Sequence, residues 1–148
     1  MQTNFTAQQL ADPRIAEVDK ILRRCVHCGL CTATCSTYVL LGDERDSPRG
    51  RIYLMKDMFE TGADPSAEVQ HHVDRCLTCL SCMTTCPGGV DYMHLVDRAR
   101  AHIEENGKRT LQERFVRGLL AATIPFPRRF RWALAFAPLG QPFKGLMR

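Results

Sequence analysis

The sequence has 148 residues, 45% of them hydrophobic and 24% charged, and a formal net charge of +4, which suits one globular domain with an additional segment. No stretch approaches about 18 uninterrupted apolar residues, so a transmembrane helix is excluded. The first residues lack the basic and apolar regions of a signal peptide. We therefore expect a cytoplasmic protein whose cysteines stay reduced and bind metal.

The N-terminal region predicts a helix that leads into the first cysteine. Residues 1–11 are polar, and we expect them to be loosely ordered. Asp12 suits an N-cap and Pro13 suits the first helical position. Helical spacing of apolar residues continues up to Cys25, namely at Ile15, Val18, Ile21 and Leu22.

All eight cysteines fall in two runs that share the spacing C-x2-C-x2-C-x3-C. Bacterial ferredoxins use this spacing, and there the fourth cysteine of each run binds the cluster of the other run. The pattern predicts two [4Fe–4S] clusters with crossed ligands. One cluster is assigned to Cys25, Cys28, Cys31 and Cys86, and the other to Cys76, Cys79, Cys82 and Cys35.

Zinc is the alternative of another class, in which the chain is a zinc-stapled interaction module. Zinc sites usually take two C-x2-C pairs that lie a dozen or more residues apart, whereas here four cysteines crowd into each short run. A brown colour would identify clusters, because the zinc form is colourless. His27 lies inside the first run, and we interpret it as a neighbour of the site or a surface residue, since four thiolates are already present.

A second helix is predicted between the runs, from Ser47-Pro48 through Phe59, with Gly62 at its end. Arg49 and Arg51 lie in its first turn, where the helix dipole disfavours basic residues. Two interpretations stay open. The arginines face an anionic cluster, or they form ion pairs with acidic residues of the preceding loop, Asp43, Glu44 and Asp46.

The region around the second run predicts two further helices. One is expected from Pro65 to Asp74, with His71 and His72 exposed. The other begins after Asp91 as N-cap and stops at Asn106-Gly107. Its inward face is predicted to consist of Tyr92, Leu95, Val96, Ala99 and Ile103.

The tail, residues 108–148, carries nine Lys/Arg against one acidic residue, while residues 1–107 have a net charge of −4. Two short helices are expected, the first with Leu111, Phe115, Leu119 and Ala122 on one stripe and the second over residues 128–137, with Trp132 beside arginines. Such a surface suits a protein partner or a peripheral contact with the inner face of the cytoplasmic membrane. We favour the protein partner and predict no nucleic-acid partner.

The stretch between the cysteine runs, Leu41-Gly-Asp-Glu-Arg-Asp-Ser-Pro-Arg-Gly-Arg-Ile-Tyr-Leu-Met55, resembles, together with both runs, the iron–sulfur subunits of glycolate oxidase. A wider set, the anaerobic glycerol-3-phosphate dehydrogenase and heterodisulfide reductase subunits, shares these features. The resemblance covers about Ile21 to Pro127. It implies an electron-transfer subunit that is not itself catalytic, that takes electrons from an FAD-containing oxidase subunit and that passes them towards quinone.

The resemblance also implies the fold, an all-α ferredoxin-type domain with two cluster loops. We predict this domain over residues 1–107. Members of the family continue into a second domain with Cys-Cys-Gly repeats, whereas no cysteine follows Cys86 here. Residues 108–148 are therefore predicted to be a basic amphipathic tail or a linker to a Cys-Cys-Gly domain, which a separate protein could supply.

Overall fold

The computed structural model describes residues 1–136, which form two compact units divided between Lys108 and Arg109. Every regular element within these residues is a helix, so the predicted all-α class is confirmed. Among the described helices, none has the length and apolar character needed to cross a membrane. The roles predicted for segments 1–107 and 108–148 stay predictions.

The helices of the first unit alternate with the cysteine runs. Four of them are long enough to form a core, and the others are short turns of helix at its edge. In chain order they are α1 (Ala7–Leu10), α2 (Pro13–Arg24), α3 (Ser36–Leu41), a 3-10 helix (Glu44–Asp46), α4 (Pro48–Thr61), α5 (Ala67–Asp74), α6 (Ser81–Thr84) and α7 (Tyr92–Asn106).

Side-chain caps explain where the long helices begin. Asp12, Ser47 and Asp91 accept hydrogen bonds from backbone N–H groups in the first turns of α2, α4 and α7, which otherwise have no partner inside the helix. Gly62 ends α4 with φ of 61°, a left-handed conformation that glycine adopts without a steric penalty. The predicted starts of these three helices are confirmed.

The core lies among α2, α4, α5 and α7. Each of these helices contributes side chains that are almost fully buried, and burying one such side chain contributes about 1.5–3 kcal/mol. The face predicted for α7 is buried in full. The core residues without exposed surface are Leu22, Met55, Val73, Leu95, Val96, Ala99 and Ile103.

The prediction that residues 1–11 are loosely ordered is wrong. Thr6 and Gln9 form a capping box at the start of α1, and Thr3 is buried against Asp19. The Gln9 amide donates to the carbonyl oxygens of Phe59 and Glu60, at 3.2 and 3.0 Å. Those carbonyls lie in the last turn of α4 and lack partners within the helix. A polar N-terminal segment can therefore be held in place by donating hydrogen bonds to them.

The second unit contains α8 (Leu111–Thr123) and α9 (Pro127–Phe136), and the predicted apolar stripe lies on α8. Arg129 donates to the carbonyl oxygen of Ala122 at 3.0 Å, which joins the two helices. Trp132 stacks on Phe136 with ring centroids 6.0 Å apart. The predicted second helix extends one residue further, to Ala137, which lies outside the described residues.

Candidate metal centre

The eight cysteines line two cavities at the edge of the core. Ile52, Val90 and Tyr92 close the first cavity from the core side. Cys82 lies in the linings of both, so the cavities are adjacent. The first is lined by Cys25, Cys28, Cys31 and Cys86 together with Cys82, and the second by Cys35, Cys76, Cys79 and Cys82.

The two cysteine runs follow the same backbone path. In the first run, residues three and five, His27 and Gly29, have φ of 59° and 80°. The equivalent residues of the second run, Thr78 and Leu80, have φ of 53° and 59°. Non-glycine residues in this region are strained and concentrate at functional sites. The repeated geometry gives both runs the same tight loop, which turns three sulfurs towards one centre.

Burial and crowding disfavour the anionic form of Cys31 and Cys82 in the absence of a cation, whereas hydrogen bonds from Ser81 lower the pKa of Cys79. Burial raises the pKa of Cys82 to about 12, and the neighbouring cysteines add to the rise. Burial likewise raises the pKa of Cys31, with contributions from Cys25, Cys86 and Cys28. A positively charged metal group would stabilise such sulfurs as thiolates. Two sets of four sulfurs match the ligand number of two cubane clusters.

The contacts of Arg49 and Arg51 decide between the two interpretations of the basic residues in the first turn of α4. Arg49 pairs with Glu44 at 2.8 Å, and Arg51 pairs with Asp46 at 3.2 Å. The ion-pair interpretation is therefore confirmed for both. Arg51 also meets the other interpretation, because its Nη1 lies 3.9 Å from Cys35 Sγ.

The prediction that His72 is exposed is wrong, whereas His71 is exposed as expected. The His72 ring is buried, and its Nδ1 lies 3.0 Å from Asp46 Oδ1. Burial alone would raise the pKa of Asp46, but hydrogen bonds from His72 and Arg75 hold that pKa below its usual value. Asp46, which has no exposed surface, thus gathers Arg51, Arg75 and His72 behind the second cavity.

His27 lines the first cavity, as the neighbour interpretation predicted. Its Nδ1 is buried without a hydrogen-bond partner among the described residues. Burial lowers the pKa of His27, and the nearby Arg49 lowers it further. An orphaned buried nitrogen in a cavity lined by sulfurs is a further sign that the cavity holds a group with acceptor atoms.

Three residues near the second cavity were not recognised from the sequence as part of a site. The Tyr92 hydroxyl lies 3.8 Å from Cys76 Sγ, and Thr37 Oγ1 lies 3.2 Å from Cys35 Sγ. Arg100 holds the second loop by donating to the carbonyl oxygen of Cys76 at 2.6 Å. The one available signal was the position of Arg100 next to Ala99, a member of the predicted apolar face of α7.

Comparison with known proteins agrees with this geometry. Residues 21–90 match the family described as the 4Fe-4S dicluster domain. Over 143 residues, 97% of the chain, the sequence is 50% identical to the glycolate oxidase iron–sulfur subunit of Escherichia coli and covers 35% of that protein. It is 38% identical over 120 residues to a Bacillus subtilis protein named "Probable glycolate oxidase iron-sulfur subunit", covering 80% of the chain and 27% of that protein.

A more distant relative is the Hdr-like menaquinol oxidoreductase iron–sulfur subunit 2 of Archaeoglobus fulgidus, 26% identical over 110 residues, 62% of the chain and 19% of that protein. The chain spans about a third or less of the length of these curated relatives. No solved structure matches it. The dicluster match identifies the metal groups as two [4Fe–4S] clusters rather than zinc. Residues 21–90 thus match a 4Fe-4S dicluster domain, and the chain is similar to the matching part of the glycolate oxidase iron–sulfur subunits.

Proposed function

We propose that the chain transfers electrons in a flavin-dependent complex that oxidises glycolate or a related 2-hydroxy acid. One observation supports this function most directly: two cavities, each lined by four or more cysteines, share Cys82. Adjacent centres suit the passage of single electrons across the chain. The electrons come from an FAD-containing subunit and continue towards quinone, and substrate oxidation belongs to the flavin subunit.

In this proposal the ligands of the two clusters are crossed between the runs. Bound [4Fe–4S] clusters supply one-electron redox chemistry, and the chain supplies four thiolates to each. The left-handed residues of both loops orient three of those thiolates, while helix α7 and the N-terminal turn of α4 close the sites from the core side. The proposed sets are Cys25, Cys28, Cys31 and Cys86 for the first centre, and Cys35, Cys76, Cys79 and Cys82 for the second.

Anaerobic mixing tests the function. A glycolate-oxidising flavoprotein from the same source is reduced with glycolate and mixed with the cluster-loaded chain, and absorbance near 400 nm is followed. Bleaching that requires both glycolate and the flavoprotein is expected. If dithionite bleaches the chromophore but the reduced flavoprotein does not, the proposed partner is wrong.

The same assay separates the alternative systems that share the family. Glycerol 3-phosphate with its flavin dehydrogenase would reduce the chain if it served that complex. A thiol pair whose oxidation product is a heterodisulfide would reduce the chain if it served a heterodisulfide reductase-like complex. We expect neither to match the rate obtained with glycolate.

The second unit is proposed to contact the flavin subunit, in a cytoplasmic complex. Its large apolar side chains stay exposed, among them Leu111 at 82%, Phe115 at 72% and Trp132 at 67%. Apolar surface that two short helices cannot cover marks a partner-binding site. Residues 108–148 have a net charge of +8, against −4 for residues 1–107, which suits an acidic protein surface and equally an anionic bilayer.

Trp132→Ala is expected to weaken copurification with the flavin subunit by at least tenfold, because truncating a central aromatic anchor commonly costs about 2 kcal/mol or more. Gln112→Ala on α8, also exposed, serves as the matched control and should bind normally. Acidic liposomes should retain neither protein. Salt-sensitive liposome binding that the flavin subunit does not compete away would make the membrane the partner instead.

A further inference from the structure

The two cysteine centres differ in the groups that face their sulfurs. Around the second centre, side chains from four elements approach the cysteines. Around the first, His27 and Arg49 line the cavity, and the N-terminal ammonium of Met1 donates to the carbonyl oxygen of Cys25 rather than to a sulfur. This asymmetry rests on residues outside the two runs, so the shared cysteine spacing does not reveal it.

Arg51 is the central cation of the second centre. Its side chain is 1% exposed, its Nη1 lies 3.9 Å from Cys35 Sγ, and its Nε donates to the carbonyl oxygen of His72 at 2.6 Å. Asp46 is its ion-pair partner, and Arg75 binds the other oxygen of that carboxylate at 3.1 Å. Two arginines therefore share one carboxylate behind Cys35, and of these Arg51 is buried whereas the Arg75 side chain is 43% exposed.

Hydroxyl and amide donors add to this charge. The Tyr92 hydroxyl points at Cys76 Sγ from 3.8 Å, and Ser81 hydrogen-bonds to Cys79 through its backbone N–H and side chain. Thr37 Oγ1 lies 3.2 Å from Cys35 Sγ and accepts a hydrogen bond from Arg51. Its own hydroxyl proton can be donated to Cys35 or to the carbonyl oxygen of Asp46. Three cysteines of the second centre, Cys35, Cys76 and Cys79, therefore each have a donor nearby.

The first centre has a weaker positive environment. Arg49 approaches it, but its side chain is 33% exposed and is neutralised by Glu44, so water and the ion pair screen its charge. Thr32 and Thr34, the hydroxyl residues of the first run, donate to the carbonyl oxygens of Gly29 and Cys31 rather than to sulfur.

We propose that the second centre has the higher reduction potential, and that Arg51, Thr37 and Tyr92 raise it as positioning residues acting through Cys35 and Cys76. Hydrogen bonds and positive charge at the sulfurs favour the reduced cluster, which carries one more negative charge, and burial strengthens both effects. An electron accepted at the first centre then moves to the second, so that the first is oxidised and the second reduced without any bond or proton change. The inference rests on the ligand sets of the proposed function.

Anaerobic redox titration followed by electron paramagnetic resonance tests this order on the cluster-loaded chain. Cys28→Ala and Cys79→Ala assign the signals, because each removes a sulfur from one cavity only. The signal of higher midpoint potential should persist in Cys28→Ala and disappear in Cys79→Ala. The reverse pattern would overturn the proposed order.

Two conservative variants then test the positioning residues while Arg51 and Asp46, the buried ion pair, stay in the sequence. Tyr92→Phe and Thr37→Val remove only hydroxyl groups, and each should lower the midpoint potential of the second signal while the first stays unchanged. Tyr53→Phe on the exposed face of α4 and Thr34→Val in the first run are the matched controls and should move neither midpoint. If the two test variants also leave both midpoints unchanged, their role is refuted although the electron-transfer function stands. A chain with no cluster signal would refute the function itself.

Discussion

Asp91 combines two roles at the start of α7, and their pH dependence is testable on single residues. Its carboxylate caps the helix by accepting from the backbone N–H of His94, and it lies 2.8 Å from the ring Nδ1 of the same histidine. The side-chain hydrogen bond and the charge of Asp91 raise the pKa of His94 above its usual value. The same contacts lower the pKa of Asp91.

Asp91→Asn should return the pKa of His94 towards its unperturbed value, about 6.5. Asparagine preserves the N-cap and removes the charge. Because the folded pKa of His94 is raised, the pair stabilises the fold fully below the unfolded pKa, and that contribution is lost as pH rises through the folded pKa. Histidine titration by nuclear magnetic resonance measures the shift, and an unchanged pKa in the variant would contradict the assignment.

The buried cluster around Asp46 marks the limit of residue-level prediction. The sequence indicated Asp46 as one of three acidic candidates for pairing with Arg49 and Arg51, since all lie within one loop and turn. His72 and Arg75 reach the same carboxylate from α5, which no local pattern reveals. His72 lies next to Val73 of the apolar stripe of α5. It can be buried with that stripe because its ring forms a hydrogen bond with Asp46.

At the scale of elements, Gly50 explains the turn between the 3-10 helix and α4. A Cβ at this position would lie 2.0 Å from the carbonyl oxygen of Glu44 and 3.0 Å from the Cα of Arg45. Both obstacles are backbone atoms that cannot rotate away. The absent side chain lets α4 begin against the loop that carries Asp46, and this contact brings Arg51 to Cys35.

Gly50→Ala is expected to destabilise the first unit by about 1–3 kcal/mol or more, because the added methyl group would push α4 away from the backbone of Glu44. It should also impair the second centre more than the first, because the displaced helix carries Arg51. Gly118→Ala on α8 is the matched control, since no atom lies within 4 Å of its added Cβ. Thermal unfolding and iron content measure both effects. Equal loss of stability in the two variants would contradict the steric explanation.

Helix starts could be predicted from the sequence, whereas short helices could not. Caps and apolar spacing identified α2, α4 and α7 because each signal is local. The short helices α1, α3 and α6 span six residues or fewer, too short for periodicity to be recognised. Contacts from distant segments fix them, as the bonds from Gln9 to the end of α4 illustrate for α1.

For the whole first unit, we expect the bound clusters to contribute to the free energy of folding. Crossed ligands would join segments on either side of α4 and α5, so removing the metal would release the links that hold these segments together. Chelation or oxidative cluster loss should therefore abolish most of the helical circular dichroism of residues 1–108. An apo chain that keeps its helicity and melts cooperatively would show that the core among α2, α4, α5 and α7 suffices.

Crossing of the ligands is the central claim, and cysteine replacement tests it most directly. Four single variants are compared by iron analysis and electron paramagnetic resonance: Cys28→Ala, Cys79→Ala, Cys86→Ala and Cys35→Ala. Each should fall from about eight iron atoms per chain to about four, since a [4Fe–4S] cluster requires four ligands. The account predicts that Cys86→Ala retains the same signal as Cys28→Ala, and that Cys35→Ala retains the same signal as Cys79→Ala. If Cys86→Ala instead matches Cys79→Ala, each run binds its own cluster and the account is wrong.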